Sequence, residues 1–204
     1  MAGVRQFNET EVLEKALVLF WKKGFAETSM QELAVATGVQ RGSLYNAYQD
    51  KETLFLRVFD LYQERVLLQA RKELDQPKLR DALRSFYSFI VDSIMTGAPT
   101  RGCLTTKSAF GQDVMDASVQ TVLQEMLDRY ETMLIERFER IGKNGQTETL
   151  AIPAKDAARL MVTLARGLVV MERIYQDKAR LVETAESLIT LLLGPEKPKR
   201  RRAA

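Results

Sequence analysis

The sequence predicts an all-α fold: a small N-terminal three-helix head followed by a larger C-terminal helical domain. Three observations carry this. Apolar residues recur three and four positions apart in one segment after another, the period of a helix with one buried face. No stretch alternates apolar and polar residues as a half-buried strand does. Only 5 prolines and 11 glycines interrupt 204 residues, so long helices meet few breaks.

The first helix opens at Asn8, with Glu11 three residues later in a capping-box pattern, and Leu13, Ala16, Leu17 and Phe20 share one face. Lys22 and Lys23 suit the negative end of its dipole, and Gly24 ends it as a left-handed cap. Ser29 and Glu32 form a second box, after which Met30, Leu33 and Ala34 point inward. Gly38 is the turn glycine, placed where a positive φ is needed and a Cβ would clash. Val39 plugs the corner, and a short third helix runs from about Gln40 to Tyr48 with Leu44 as its inward anchor. Asp50 caps a fourth helix, whose apolar series Leu54, Phe55, Val58, Leu61, Tyr62, Val66 reaches about Glu73.

Asp75, Gln76 and Pro77 make the expected domain break. It divides the chain into a head over 1–50, a connecting helix over about 50–73, a domain over 74–194 and a basic tail over 195–204. In the second domain Leu79, Leu83, Phe86, Phe89 and Ile90 mark a helix over Lys78–Met95, and Gly97, Ala98 and Pro99 interrupt it. Gly102–Phe110 is a short helix. Asp113–Ile141 is a long amphipathic one with Val122, Met126, Tyr130, Met133, Leu134 and Phe138 on its buried side. Gly142–Pro153 reads as a loop, and Ala154–Tyr175 and Lys178–Leu193 as the last two helices.

Composition narrows the chemistry. The chain has no histidine, which excludes Ser-His and Cys-His nucleophile pairs and histidine-ligated metals. No carboxylate pair stands out, so no enzyme, no catalytic or metal-binding residue and no cofactor is expected. The single cysteine, Cys103, cannot form an intrachain disulfide, in keeping with a reducing compartment. MAGVRQFNETE has no apolar signal core, and no apolar run approaches the roughly 20 residues that span a bilayer. A cytoplasmic protein without a membrane partner is the expectation. The net charge of +3 belongs to the tail: residues 195–204 carry five Lys/Arg against Glu196, and the other 194 residues sum to −1. A broad positive field over the folded body is therefore not the source of any nucleic-acid affinity.

The stretch Thr28–Lys51 has the form of a helix-turn-helix that reads DNA. A major groove about 12 Å wide admits one helix, which reads bases with polar side chains from its N-terminal half. Gln40, Arg41 and Ser43 stand there, Asn46 lies further along the same reading face, and the N–H groups near Gly42 suit a phosphate. Tyr45, Tyr48 and Lys51 are candidates for backbone contacts, with Thr28 on the other side. The alternative for the same residues is a helical hairpin with a solvated polar face.

These residues resemble a known family. Thr28, Leu33, Ala34, Gly38, Val39, Arg41, Gly42, Leu44, Tyr45, Tyr48, Lys51, Glu52 and Leu54 fall on the N-terminal signature of TetR-family (tetracycline-repressor-type) regulators, and VLEKALVLFWKKGF resembles the family's opening helix. The resemblance spans roughly residues 8–60. It departs at Gln40, where members often have Ser or Thr, and at Ala47, where they often have His. It implies a homodimer joined through the last two helices and an effector pocket in the C-terminal domain. Met161, Leu164, Gly167, Leu168, Met171, Leu181, Leu188 and Leu192 are the interface candidates; Phe86, Phe89, Cys103, Lys107, Phe110, Met126, Tyr130 and Met133 are the pocket candidates.

RGCL around Cys103 is similar to a subgroup in which a cysteine senses electrophiles or oxidants. Arg101 and Lys107 nearby, at a helix N-terminus, would lower the thiol pKa. The alternative is a small thiol packed as a hydrophobe. The resemblance thus implies a repressor released from a near-palindromic double-stranded operator by a small-molecule or electrophile effector. An effector-independent DNA binder and a helical protein–protein adaptor are the other readings.

Overall fold

A computed structural model of the chain describes residues 7–97, 100–109, 116–140 and 148–196. Among them the regular elements are all helices: α1 (Glu9–Lys23), α2 (Met30–Thr37), α3 (Arg41–Tyr48), α4 (Lys51–Leu74), α5 (Leu79–Ile94), α6 (Leu104–Ala109), α7 (Ala117–Phe138), α8 (Ala154–Tyr175) and α9 (Lys178–Leu193). The all-α expectation holds. Phe110, the expected start of the seventh helix at Asp113, and the basic residues of the tail lie outside the described residues. None of the described helices is long and apolar enough to cross a membrane.

Two compact units divide the chain, Met1–Gln69 with Ser93–Arg129, and Ala70–Asp92 with Tyr130–Ala204. The division does not follow the break near Pro77, because Gly102 and α6 pack with α1 of the head. In the first unit an aromatic core joins the head helices: Phe55 meets Phe20 edge-on at 5.1 Å and Phe25 at 4.9 Å, and Phe59 follows at 5.5 Å. Leu33, Leu44 and Tyr48, from α2 and α3, are also buried.

Local sequence chemistry sets the helix ends. The Asn8 side chain accepts from the Glu11 N–H, and Asp50 accepts from the Thr53 N–H at 2.7 Å. Ser29 and Glu32 satisfy each other's backbone N–H groups in a complete capping box. Gly38 turns the chain in the left-handed region at φ 73°, ψ 15°. Gly24 differs from the expected left-handed cap. It stands at φ 84°, ψ 174°, because the chain leaves α1 extended rather than coiled.

In the second unit α8 and α9 pack together, and the Tyr87 hydroxyl donates to the Met161 carbonyl at 2.9 Å. Buried Arg137 of α7 donates to the Leu74 and Gln76 carbonyls, both at 2.9 Å, and so closes the C-terminal end of α4. Arg84 grips Glu186 of α9 with two bonds at 2.7 and 2.8 Å.

Candidate nucleic-acid interface

The candidate reading helix, α3, is placed by three local features: the α2 capping box, Gly38 in the turn and Leu44 as a fully buried anchor. With Leu44 and Tyr48 held inward, the opposite face of α3 is presented to solvent. Gln40, Arg41, Gly42, Tyr45 and Asn46 are exposed there, and Ser43 is half-buried. No acidic residue stands in the first turn of α3, and the Gln40 side chain does not cap it. The α3 N-terminus is thus an uncapped positive dipole end flanked by donors, which suits a phosphate or a base edge.

Arg41 and Tyr45 form the most defined pair on this face. The guanidinium lies over the ring at 5.4 Å, and Nη2 donates to the hydroxyl at 3.3 Å. Gly42 has open space where a Cβ would stand, so no contact within the described residues demands glycine there.

Three sequence candidates are not on this face. The Thr28 side chain is buried and its hydroxyl donates to the Gly24 carbonyl at 2.7 Å, because it closes the α1–α2 loop. Tyr48 is 2% exposed; one turn after Leu44, it falls on the packed side of α3. The Lys51 ammonium donates to the Phe25 and Ala26 carbonyls at 3.0 and 3.3 Å and lies 4.3 Å from the Phe25 ring centre. Partial burial lowers its pKa, opposed by Asp116 and Glu27. In this structure Thr28 and Lys51 therefore bond to the α1–α2 loop and Tyr48 packs inward, away from the exposed face of α3.

The pocket candidates fall into both units. Cys103, Lys107 and Met126 belong to the first; Phe86, Phe89, Tyr130 and Met133 belong to the second. Phe110 lies outside the described residues. In the second unit Tyr130 meets Phe86 at 6.1 Å, and the Arg166 guanidinium lies 5.9 Å from the Tyr130 ring centre. Phe86, Tyr130 and Met133 are buried and Phe89 is half-buried.

Cys103 is buried, with its sulfur 3.8 Å from the Tyr62 hydroxyl. The cations expected to favour its thiolate are committed elsewhere. Arg101 donates to Ser93 and lies over Trp21, and Lys107 donates to the Trp21 and Lys22 carbonyls. No sequence signal announces these contacts, since Trp21 and Lys107 stand 86 residues apart.

The interface candidates also divide. Met161, Leu168, Leu181 and Leu192 are buried within the single chain, where α8 and α9 pack, so they are core. Leu164, Gly167 and Leu188 are half-buried and Met171 is exposed. The exposed apolar residues on these helices are instead Leu160, Val170, Met171, Ile174 and Tyr175 of α8, and Val182 and Leu191 of α9.

Residues 12–58 match the family model for bacterial regulatory proteins, tetR family. The Escherichia coli transcriptional repressor ComR is 30% identical over 99 residues, about half the length of each chain (48% of this one, 47% of ComR). The uncharacterised Bacillus subtilis regulator YezE is 22% identical over 94% of this chain and 100% of its own. Among solved structures, reduced Escherichia coli NemR superposes with a TM-score of 0.82 at 16% identity, covering 91% of this chain and 97% of its own. A cysteine mutant of the TetR-family regulator CifR, complexed with operator DNA, gives 0.80 at 24%, covering 92% and 98%. Residues 12–58 are thus similar to the tetR family of bacterial regulatory proteins, and the described residues share the all-helical fold of these two solved structures.

Proposed function

We propose that the protein is a homodimeric repressor that binds a near-palindromic operator and is released when an effector engages the region C-terminal to the head. The observation that carries this is the exposed face of α3, where Gln40, Arg41, Tyr45 and Asn46 surround an uncapped helix N-terminus. Gln40 suits an adenine edge and Arg41 a guanine edge, each by two bonds. The DNA complex of CifR and the repressor function named for ComR support the operator-binding reading.

A stripe on α8 supports the dimer. Leu160, Leu164, Gly167, Met171 and Ile174 recur at helical spacing, and all are exposed or half-buried. A Cβ at Gly167 would meet nothing within 4 Å, so the single chain does not require glycine there, whereas a closely approaching helix would. Two heads related by a two-fold axis read half-sites whose centres lie about 34–36 Å apart, or a multiple of that. Effector binding tilts α4, which follows α3 directly, and couplings of this kind are typically about 1–3 kcal/mol.

The test is selection of duplexes from a randomised DNA library by the full chain, followed by protection mapping of the winner. A near-palindromic site with protection on one DNA face is the expected result. Enrichment of no sequence at low salt would overturn operator binding and favour a protein–protein adaptor.

A further inference from the structure

The segment between α5 and α6 grips the end of α1. The Gly102 N–H donates to the Ile94 carbonyl at 3.2 Å, and the Arg101 N–H to the Thr96 carbonyl at 2.9 Å. The Arg101 guanidinium donates to the Ser93 carbonyl and hydroxyl at 3.2 and 3.3 Å. The same guanidinium lies 4.0 Å from the centre of the Trp21 indole. The indole N–H in turn donates to the Gly102 carbonyl at 2.9 Å.

Further along, the Lys107 ammonium donates to the Trp21 and Lys22 carbonyls at 2.8 and 3.2 Å. These are carbonyls in the last turn of α1, where the helix supplies no partner and a cation is favoured by the dipole. The fit is close on the backbone side too. A Cβ at Gly24, where φ is 84°, would stand 3.0 Å from the Lys107 carbonyl oxygen.

We infer that Arg101, Gly102 and Lys107 form a clamp that sets the angle at which α1 presents the helix-turn-helix, with Trp21 and Lys107 as positioning residues for operator binding. The geometry is that of two lysines on either side of one loop. Lys107 holds the carbonyls at Trp21 and Lys22, and Lys51 of α4 holds those at Phe25 and Ala26. The α1–α2 loop between them leads directly into α2, and α2 packs with α3. Opening the clamp frees α1 to tilt while α4 keeps its hold, so α2 and α3 rotate away from the geometry the operator needs. This route enters the head through α1 and is separate from the tilt of α4. It rests on the operator-binding reading given above.

The test uses the full chain, the duplex enriched by the wild-type protein and a scrambled duplex of equal length. Lys107→Met keeps the aliphatic stem and removes the donors. Its specific affinity is expected to fall about tenfold while scrambled-duplex affinity changes less than about twofold, a loss of specificity rather than of phosphate contact. An equal fall on both duplexes, the mark of lost folded protein, or no fall on either, overturns the clamp. Lys107→Arg, which keeps donors for both carbonyls, is expected to restore specific affinity to within about threefold, and no rescue counts against the clamp. Should Lys107→Met fail to fold, Trp21→Phe keeps a ring and loses the indole donor, and an unchanged ratio of specific to scrambled affinity in it overturns the proposal.

Trp21 is the sole tryptophan, so its emission gives a reading without DNA. Acrylamide quenching of Trp21 is expected to rise in Lys107→Met, and identical quenching overturns the clamp. Failure of the wild-type protein to enrich any duplex defeats operator binding, and the quenching comparison then still decides whether Lys107 holds Trp21.

Discussion

Arg41 donates through Nη2 to the Tyr45 hydroxyl one helical turn away, at 3.3 Å, and both side chains face solvent. The bond holds the guanidinium along the exposed face of α3 before any ligand arrives. A side chain already ordered loses less freedom on binding. Arg41→Ala is therefore expected to lose most of the operator affinity, of order 1–3 kcal/mol per half-site if the guanidinium reads a base. Fluorescence anisotropy on the enriched duplex measures it, and wild-type affinity in this variant would mean that a different helix enters the groove.

Tyr45 and Tyr48 separate contact from packing on one short helix. Tyr45 is 38% exposed and Tyr48 is 2% exposed. Tyr45→Ala is expected to change folding stability by no more than about 0.5 kcal/mol, as surface substitutions generally do, while weakening DNA binding. Tyr48→Ala removes a buried ring and is expected to destabilise the head by about 3–5 kcal/mol. Chemical denaturation followed alongside DNA titration distinguishes the two.

Gln49 joins α3 to α4 at φ 68°, and the Asp50 N–H bonds back to the Tyr48 carbonyl at 2.8 Å. With ψ at −55° this is a γ-turn of the positive-φ hand, a strained conformation for a residue with a Cβ. Such strain costs of order 1–3 kcal/mol, partly offset in glycine by its larger chain entropy. Gln49→Gly is expected to stabilise the fold by about 1 kcal/mol, read as a higher urea midpoint. A lower midpoint would show that the turn carries no such strain.

Glu32 joins the capping box to Lys23, whose ammonium lies 2.5 Å from its carboxylate. The bond from Lys23, then those from the Ser29 hydroxyl and N–H, push its pKa down to about 2 from 4.5. A depressed folded pKa means that the contribution is complete above the unfolded value and is lost as pH falls from about 4.5 towards 2. Glu32→Gln is expected to flatten that part of the stability–pH curve. Parallel acid titrations followed by circular dichroism test this, and identical slopes in the two proteins would contradict it.

Leu160 is 48% exposed at the start of the α8 stripe. Leu160→Arg leaves the buried side of α8 untouched and is expected to convert the proposed dimer to a monomer without lowering the helix content. Sedimentation velocity reads the change, and an unaltered dimer would place the interface elsewhere.

The legible part of this protein was local. Asn8, Ser29 with Glu32, and Asp50 announced helix starts because a cap bonds within three residues of itself. Gly38 announced the turn because only its own φ matters. The α8 and α9 bounds followed from apolar periodicity, which each helix carries alone. The surroundings of Tyr48 and Lys51 were not legible for the opposite reason. Their polar groups suit DNA, but their register points them at the core and at the α1–α2 loop.

The sequence alone determined the helices, the turn between α2 and α3, and the residues offered at the start of the reading helix. All of these depend on interactions spanning at most a few residues. The tertiary structure decided which side of each helix is spent. It buried Met161, Leu168, Leu181 and Leu192 within one chain, left Leu160 and Ile174 outside, and used Lys107 to close α1. Burial and capping across 80 or more residues of chain depend on where the folded backbone brings distant elements together, and periodicity within one helix carries no information about that.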